Sequence, residues 1–118
     1  MRRLIPVALA TCLALTTFTL KESPVQAWVY NDAVEYGISL GLPRAWAYRV
    51  ASCETGGTFN PLAYNRRSGA SGLYQFLPST WRSTPQAKAG LSVFDPYANA
   101  AGAAWLYRTY GPSQWACK

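Results

Sequence analysis

The strongest alternation of apolar and polar positions lies over residues 43–54, where it has the period of an α-helix. The positions that recur at this spacing are Ala45, Trp46, Arg49, Val50 and Cys53. Pro43 suits the first turn of such a helix, and Gly56 with Gly57 suits its end. The pattern therefore predicts a helix over residues 43–54 that stops just after Glu54.

Two further helices are predicted, one on each side of this element. Asn31 or Asp32 can cap a helix that runs to about Leu40, and Asp95 before Pro96 can cap a last helix. The positions that would form the buried face of this last helix are Ala100, Ala103, Ala104 and Tyr107.

The segment between these helices is rich in turn-forming residues. Residues 58–72 contain many Gly, Ser, Asn and Pro, which predicts a long loop or a small irregular hairpin. Residues 73–77 are apolar, and Pro78 begins a short helix. Together the elements predict a mainly α (α+β) fold, built as a single small domain with a loop-rich floor.

Residues 1–27 have the composition of an export signal. Arg2 and Arg3 precede an apolar run over residues 4–20, and Val25 and Ala27 are the small residues that a signal peptidase reads. We predict a signal peptide over 1–27, a domain over 28–118, and a secreted or extracytoplasmic protein without stable membrane insertion after cleavage. The alternatives are an uncleaved anchor helix and lipidation at Cys12.

Charge and cysteines narrow the chemistry of this domain. The whole chain carries a net charge of +6, contains three cysteines and has no histidine. A positive charge suits an anionic polymer, and the missing histidine argues against a zinc or histidine-based site. We therefore expect no metal and no cofactor. Cys53 and Cys117 are the cysteines that follow residue 27, and an even pair in an exported chain predicts a disulfide.

Four carboxylates follow residue 27: Asp32, Glu35, Glu54 and Asp95. Asp32 and Glu35 belong to the predicted first helix, where charges are usually solvated, and Asp95 serves as a cap. Glu54 differs because it ends an apolar helix beside a cysteine that we expect to be buried. Partial burial would raise its pKa and allow it to hold a proton, so Glu54 is the candidate catalytic acid.

Aromatic residues are frequent, with five tryptophans and eight tyrosines in the chain. Their flat faces and polar edges suit stacking against sugar rings, although bases stack on them as well. Trp46 and Trp105 have helical spacing and are expected in the core. Tyr64, Tyr74 and Trp81 flank the polar loop and are expected to line a groove.

The order of several motifs resembles the lytic transglycosylase family, and in particular the small secreted domains of resuscitation-promoting factors. The matching segments are residues 53–57 (CETGG), Asn60 with Pro61, residues 69–81 (GASGLYQFLPSTW) and residues 95–106. The resemblance implies a lysozyme-like fold in which Glu54 is the acid/base. It also implies that Gln75 contacts the sugar or the acid, that Tyr74 lies at the cleft wall, and that Cys53 pairs with Cys117.

Two positions depart from the family pattern. Thr55 stands where relatives often carry Ser, and Trp105 stands where many soluble transglycosylases carry Tyr. A tyrosine role in the last helix is therefore not carried over. Asn60, Tyr64, Tyr74, Gln75 and Trp81 remain as the candidate substrate-binding residues.

The expected reaction is cleavage of the MurNAc-GlcNAc β-1,4 bond of peptidoglycan, leaving 1,6-anhydromuramic ends. Without a convincing second carboxylate in the chain, the substrate's own 6-hydroxyl would act as the nucleophile. The alternatives are a muramidase that uses water, a non-catalytic wall-glycan-binding module, and a basic nucleic-acid binder. We expect a monomer whose partner is a peptidoglycan glycan strand, with no nucleic acid bound.

Overall fold

The computed structural model describes residues 31–118, so the predicted signal peptide and its cleavage site lie outside the described residues. The described chain forms five α-helices and a 3₁₀ turn, joined by loops with isolated β-bridges. In order, they are α1 (Asp32–Ser39), α2 (Arg44–Glu54), α3 (Pro78–Arg82), α4 (Pro85–Lys88), α5 (Pro96–Tyr110) and the 3₁₀ turn Pro112–Gln114. The mainly helical, single-domain fold that the sequence predicts is confirmed, while α4 and the 3₁₀ turn were not predicted.

Helix α1 begins and ends close to the predicted positions. The side chain of Asn31 caps it by accepting hydrogen bonds from the backbone N–H groups of Ala33 and Val34, both at 3.1 Å. Its buried side packs on α5, and Gly37 permits this close approach. A Cβ at Gly37 would lie 2.9 Å from Leu42 and 3.3 Å from Ala100. Any larger residue at Gly37 would therefore push the two helices apart.

Helix α2 has the predicted length, but its buried face is rotated from the predicted one. The buried residues are Trp46, Ala47, Val50 and Ala51. Three positions of the predicted stripe, Ala45, Arg49 and Cys53, are exposed. The helical spacing was correct, and Trp46 and Val50 are buried as predicted. The rest of the buried face is formed by Ala47 and Ala51.

Helix α5 packs against α1, α4 and the 3₁₀ turn. Asp95 caps it by accepting from the N–H groups of Tyr97 at 2.9 Å and Ala98 at 3.1 Å, as predicted. Residues 98–104 are all buried, and their small side chains allow neighbouring backbones to approach closely. Trp105 is only partly buried and packs against the edge of the core.

The polar segment between α2 and α3 is an irregular hairpin whose residues meet in isolated β-bridges. Ser71 is bridged to both Tyr64 and Phe76. Asn99 of α5 binds this segment through side-chain hydrogen bonds. Its side chain accepts from the N–H of Tyr74 at 2.8 Å and donates to the carbonyl of Val93 at 2.8 Å. The loop-rich floor is thus tied to the longest helix by one buried amide.

The C-terminal tail returns to the core and closes it. Trp115 is buried, and its ring lies 4.8 Å from that of Trp46 in an edge-to-face arrangement. Its indole N–H donates to the backbone carbonyl of Tyr74 at 3.0 Å. Within residues 31–118, no helix is both long and apolar enough to cross a membrane.

Candidate active site

Glu54 is the last residue of α2, and it continues the buried face of that helix. It follows Ala47, Val50 and Ala51 at spacings of seven, four and three residues, which places all four on one side. Helix α2 therefore directs a carboxylate along the same face that its alanines and valine use for packing. Because the helix ends here, the Glu54 side chain is only partly buried and remains reachable from solvent.

The C-terminal tail lies over this end of the helix. Cys53 and Cys117 form a disulfide with their Cα atoms 6.0 Å apart, as the two cysteines predicted. The backbone N–H of Cys117 donates a long hydrogen bond of 3.4 Å to Oε2 of Glu54. The expectation that Cys53 itself is buried was wrong, because its side of α2 faces solvent. Glu54 owes its burial to the helix face and to the tail.

The pKa of Glu54 is raised above its ordinary value of 4.5. Burial is the larger cause, since it penalises the charged carboxylate, and the N–H of Cys117 opposes it weakly by favouring that form. Among residues 31–118 the one ion pair is that of Glu35 with Arg44, so no cation offsets the burial of Glu54. A carboxyl in this setting retains its proton to higher pH than an exposed glutamate does.

The turn after Glu54 is organised by the hydroxyl of Thr55. This hydroxyl donates to the carbonyl of Ala51 at 2.7 Å and accepts from the N–H of Phe59 at 2.8 Å. Gly56 and Gly57 then adopt positive φ values of 63° and 85°, which favour glycine. Serine and threonine both carry the hydroxyl that this turn uses, so Thr55 preserves the local structure despite its departure from the family pattern.

The other three carboxylates of the described chain have structural surroundings. Glu35 accepts from the guanidinium of Arg44 at 2.7 and 3.0 Å and from the hydroxyl of Tyr48. Asp95 uses one oxygen to cap α5, and Asp32 is exposed in the first turn of α1. The link to Tyr48 was not foreseen, because residues 35 and 48 become neighbours only when α1 packs on α2.

Tyr74 does not line an open groove, which corrects the role expected for it. Its side chain is 0% exposed, and its hydroxyl donates to the carbonyl of Ala47 at 2.9 Å. Burial also raises the pKa of this phenol above its ordinary value. The tyrosine sits beneath the floor because Asn99 and Trp115 both bind its backbone and draw this residue inward.

Gln75 follows Tyr74 and has a positive φ of 51°, which is uncommon for a residue other than glycine. Its amide donates to the carbonyls of Ala63 and Gly72, both at 3.0 Å. These bonds join the two sides of the hairpin, and the Gln75 side chain is partly buried. Asn60 is exposed in the turn before the hairpin, where its side chain accepts from the N–H of Leu62 at 2.9 Å.

Tyr64 and Trp81 do come together, because both line one pocket of about 280 Å³. The other residues that line it are Gly69, Ser71, Phe76, Pro78, Arg82 and Val93. Glu54 is not among the residues that line this pocket. Within residues 31–118, no group of three or more His, Cys, Asp or Glu side chains is placed to hold a metal ion.

Comparisons with known proteins find one matching family and several similar proteins. The family described as the transglycosylase SLT domain matches residues 22–117. The probable transglycosylase SceD of Staphylococcus carnosus is 42% identical over 74 residues, which is 56% of this chain and 29% of the relative. Its counterpart in Staphylococcus aureus strain N315 is 36% identical over 100 residues, which is 82% of this chain and 42% of the relative.

A third relative, the probable transglycosylase SceD 3 of Staphylococcus saprophyticus, is 46% identical over 69 residues. That match covers 56% of this chain and 28% of the relative, so the chain spans well under half the length of these relatives. No solved structure matches the chain. The mainly helical fold is consistent with a lysozyme-like domain.

Proposed function

Because this chain belongs to the transglycosylase SLT domain family, we propose that it is a lytic transglycosylase that cleaves the glycan strands of peptidoglycan. The bond broken is the β-1,4 link between N-acetylmuramic acid and N-acetylglucosamine, and the product carries a 1,6-anhydromuramic end. The observation that carries the proposal is the environment of Glu54. Glu54 is a partly buried carboxyl without an ion-pair partner, and its pKa is raised. It is the last residue of α2 and lies in the CETGG segment of the family motif.

Glu54 serves first as the acid and then as the base. Its proton passes to the glycosidic oxygen as the C1–O bond of the muramic residue breaks, which gives the leaving sugar a neutral hydroxyl. The 2-acetamido oxygen of the muramic residue then stabilises the positive charge at C1. Finally the 6-hydroxyl attacks C1 and returns a proton to the Glu54 carboxylate, so the enzyme regains its starting state.

A second catalytic carboxylate is not required by this route, and the other carboxylates of residues 31–118 are either bonded to protein groups or exposed. Glycosidases commonly use two carboxyl groups. Here Asp95 is occupied as a helix cap and Glu35 by Arg44 and Tyr48. The 6-hydroxyl is already tethered to the reacting ring, so its effective concentration greatly exceeds that of a water that must be captured and oriented.

The remaining site residues take supporting roles in this proposal. Tyr64 and Trp81 provide aromatic walls for the substrate, and Asn60 lies on the exposed turn between Glu54 and the hairpin. Gln75 orders the hairpin through its two amide bonds and so shapes the surface that the sugar meets. Tyr74 supports that surface from beneath, without contact with the substrate. We also propose that the protein acts outside the cytoplasm as a monomer, after removal of residues 1–27.

Product analysis tests the proposal directly. Purified domain is incubated with isolated cell-wall peptidoglycan, and the released muropeptides are examined by mass spectrometry before and after borohydride treatment. Anhydro products should be about 18 Da lighter than hydrolysis products and should resist reduction, because ring closure replaces the added water. Only full-mass, reducible muropeptides would instead identify a muramidase. No release at all by protein of native fold would point to a non-catalytic binding module.

A further inference from the structure

The pocket that contains Tyr64 and Trp81 is formed by three separate parts of the chain. The hairpin supplies Tyr64 and Ser71, helix α3 supplies Trp81 and Arg82, and the loop before α5 supplies Val93. Its volume of about 280 Å³ is at the small end of ligand sites. It therefore suits one sugar ring or one substituent of a longer chain.

The pocket is held in shape before any ligand arrives. Ser71 is bridged to Tyr64 and Phe76 on either side, and the ring of Phe76 lies 5.1 Å from that of Trp81. Gly69 faces Pro78 so closely that a Cβ there would come within 3.2 Å of the proline ring. A rigid pocket of this kind loses little conformational entropy when it binds a ligand.

The charge around the pocket is positive and is not neutralised by the protein. Arg82 lines the pocket, and the tight turn with Arg66 and Arg67 connects two of its lining residues, Tyr64 and Gly69. In residues 31–118 the one ion pair belongs to Arg44 and Glu35, so these three guanidinium groups have no carboxylate partner. A guanidinium binds a carboxylate through two parallel N–H···O bonds, which makes it selective for that group.

We propose that this pocket is a subsite for a carboxylate-bearing part of the glycan substrate, with Arg82 as the residue that binds the carboxylate. The inference rests on the proposed function and specifies which feature of the substrate is recognised. Tyr64 and Trp81 contact the apolar face of the bound group, while Arg82 at the side of the pocket pairs with its charge. Two parts of a wall strand carry such a carboxylate: the peptide stem, and the lactyl group of muramic acid once the stem is removed.

Binding to three kinds of glycan tests this role of Arg82. The ligands are peptide-bearing strands, strands stripped of peptide by an amidase, and neutral chitin oligosaccharides. All proteins carry Glu54→Gln so that the ligands stay intact during the measurement. Arg82→Gln should weaken binding to at least one of the two carboxylate-bearing strands by about threefold to tenfold and leave binding to chitin oligosaccharides unchanged. Arg82→Lys should recover part of the loss, since it restores the charge without the fork.

Lys88→Gln is the matched control, because it removes one exposed positive charge outside the pocket. A loss confined to peptide-bearing strands assigns the carboxylate to the stem, and a loss on stripped strands assigns it to the lactyl group. The proposal is overturned if Arg82→Gln changes no affinity, weakens chitin binding equally, or matches Lys88→Gln. Cleavage by the domain without these substitutions is measured separately, so failure of the proposed function would be recognised independently of the binding result.

Discussion

Two glutamates of this small helical domain, one in α1 and one at the end of α2, have opposite environments. Glu35 lies at the contact between α1 and α2, where Arg44 and the hydroxyl of Tyr48 both donate to it. The hydrogen bonds from Arg44 and Tyr48 hold the pKa of Glu35 below its ordinary value of 4.5. Burial, together with the hydrogen bond to Glu35, raises the pKa of Tyr48 to about 12. Glu54 lies at the end of α2 with one long hydrogen bond from the tail, and burial raises its pKa.

The difference shows why only one of these residues suits general acid catalysis. A carboxylate that is already paired with a guanidinium keeps its charge and has no proton to donate near neutral pH. A carboxyl that is desolvated without a cation retains its proton to higher pH, and it can donate that proton to a substrate oxygen. The distinction depends on the partners of each side chain, since both residues occupy helices that neighbour each other.

The largest expected effect is on the rate of glycan cleavage when glutamine replaces Glu54, with the same substitution at Glu35 as the comparison. Glu54→Gln should lower cleavage of cell-wall glycan by at least about a hundredfold, because the amide keeps the shape but cannot donate the proton. Glu35→Gln should leave turnover nearly unchanged, since that carboxylate is occupied by Arg44 and Tyr48. Rates of muropeptide release at equal protein concentration, with circular dichroism as a folding control, measure both. Loss of activity in a folded Glu35→Gln protein alone would reverse the assignment.

Removal of the disulfide should change the surroundings of Glu54 and leave the bonds of Glu35 with Arg44 and Tyr48 intact. Replacing Cys53 and Cys117 by serine opens a loop that spans a sequence separation of 64 residues. The expected loss in the free energy of unfolding is about 2 to 4 kcal/mol, measured by urea denaturation. Cleavage should fall as well, since Cys117 contributes the N–H that contacts Glu54. An unchanged unfolding free energy would show that Trp115 alone anchors the tail.

A third carboxylate, Asp95, should affect stability while leaving the chemistry of Glu54 unchanged. Asp95→Asn weakens the cap of α5 and should lower the free energy of unfolding by about 1 kcal/mol or less. Turnover by the folded variant should stay close to that of the unmodified protein. If the variant instead lost activity without losing stability, Asp95 would have a catalytic role, and a water-dependent mechanism would replace the proposed one.

The smallest expected effect concerns how the free energy of unfolding depends on pH. The contributions of the two glutamates to it should change in opposite directions as pH rises. The folded-state pKa of Glu54 is raised, so its favourable contribution is complete below 4.5 and is lost as pH rises through the raised pKa. The Glu54→Gln variant should therefore become more stable than the unmodified protein as pH rises toward neutral. The folded-state pKa of Glu35 is lowered, so its contribution is present above 4.5 and is lost as pH falls through the lowered pKa.

Urea unfolding of both glutamine variants and the unmodified protein between acidic and neutral pH measures this contrast. Glu35→Gln should be the less stable protein at neutral pH, and both differences should shrink in acid, where the glutamates are protonated. Activity should decline as pH rises past the raised pKa of Glu54, because the acid form is consumed. Parallel stability changes in the two variants would contradict the comparison.

Much of the fold could be predicted from local pattern. The caps at Asn31 and Asp95, the helix that ends at Glu54 and the glycine turn after it depend on residues close in sequence. The rotation of the buried face of α2 was missed, because helical spacing alone does not say which of two adjacent stripes meets the core. Small alanines at positions 47 and 51 were the available signal, because small side chains let neighbouring backbone and side chains approach the helix closely.

Local sequence was enough to predict the helical class, the pair of cysteines after residue 27, the family motif and the choice of Glu54 among the four carboxylates after that residue. The packing of the folded chain was needed to show that Tyr74 is buried, that Arg82 joins Tyr64 and Trp81 in one pocket, and that the tail reaches Glu54. These features depend on Asn99 and Trp115, which bond to backbone groups 25 and 41 residues away. Periodicity reports the two faces of one helix or strand, whereas contacts over such separations follow from how the completed elements pack.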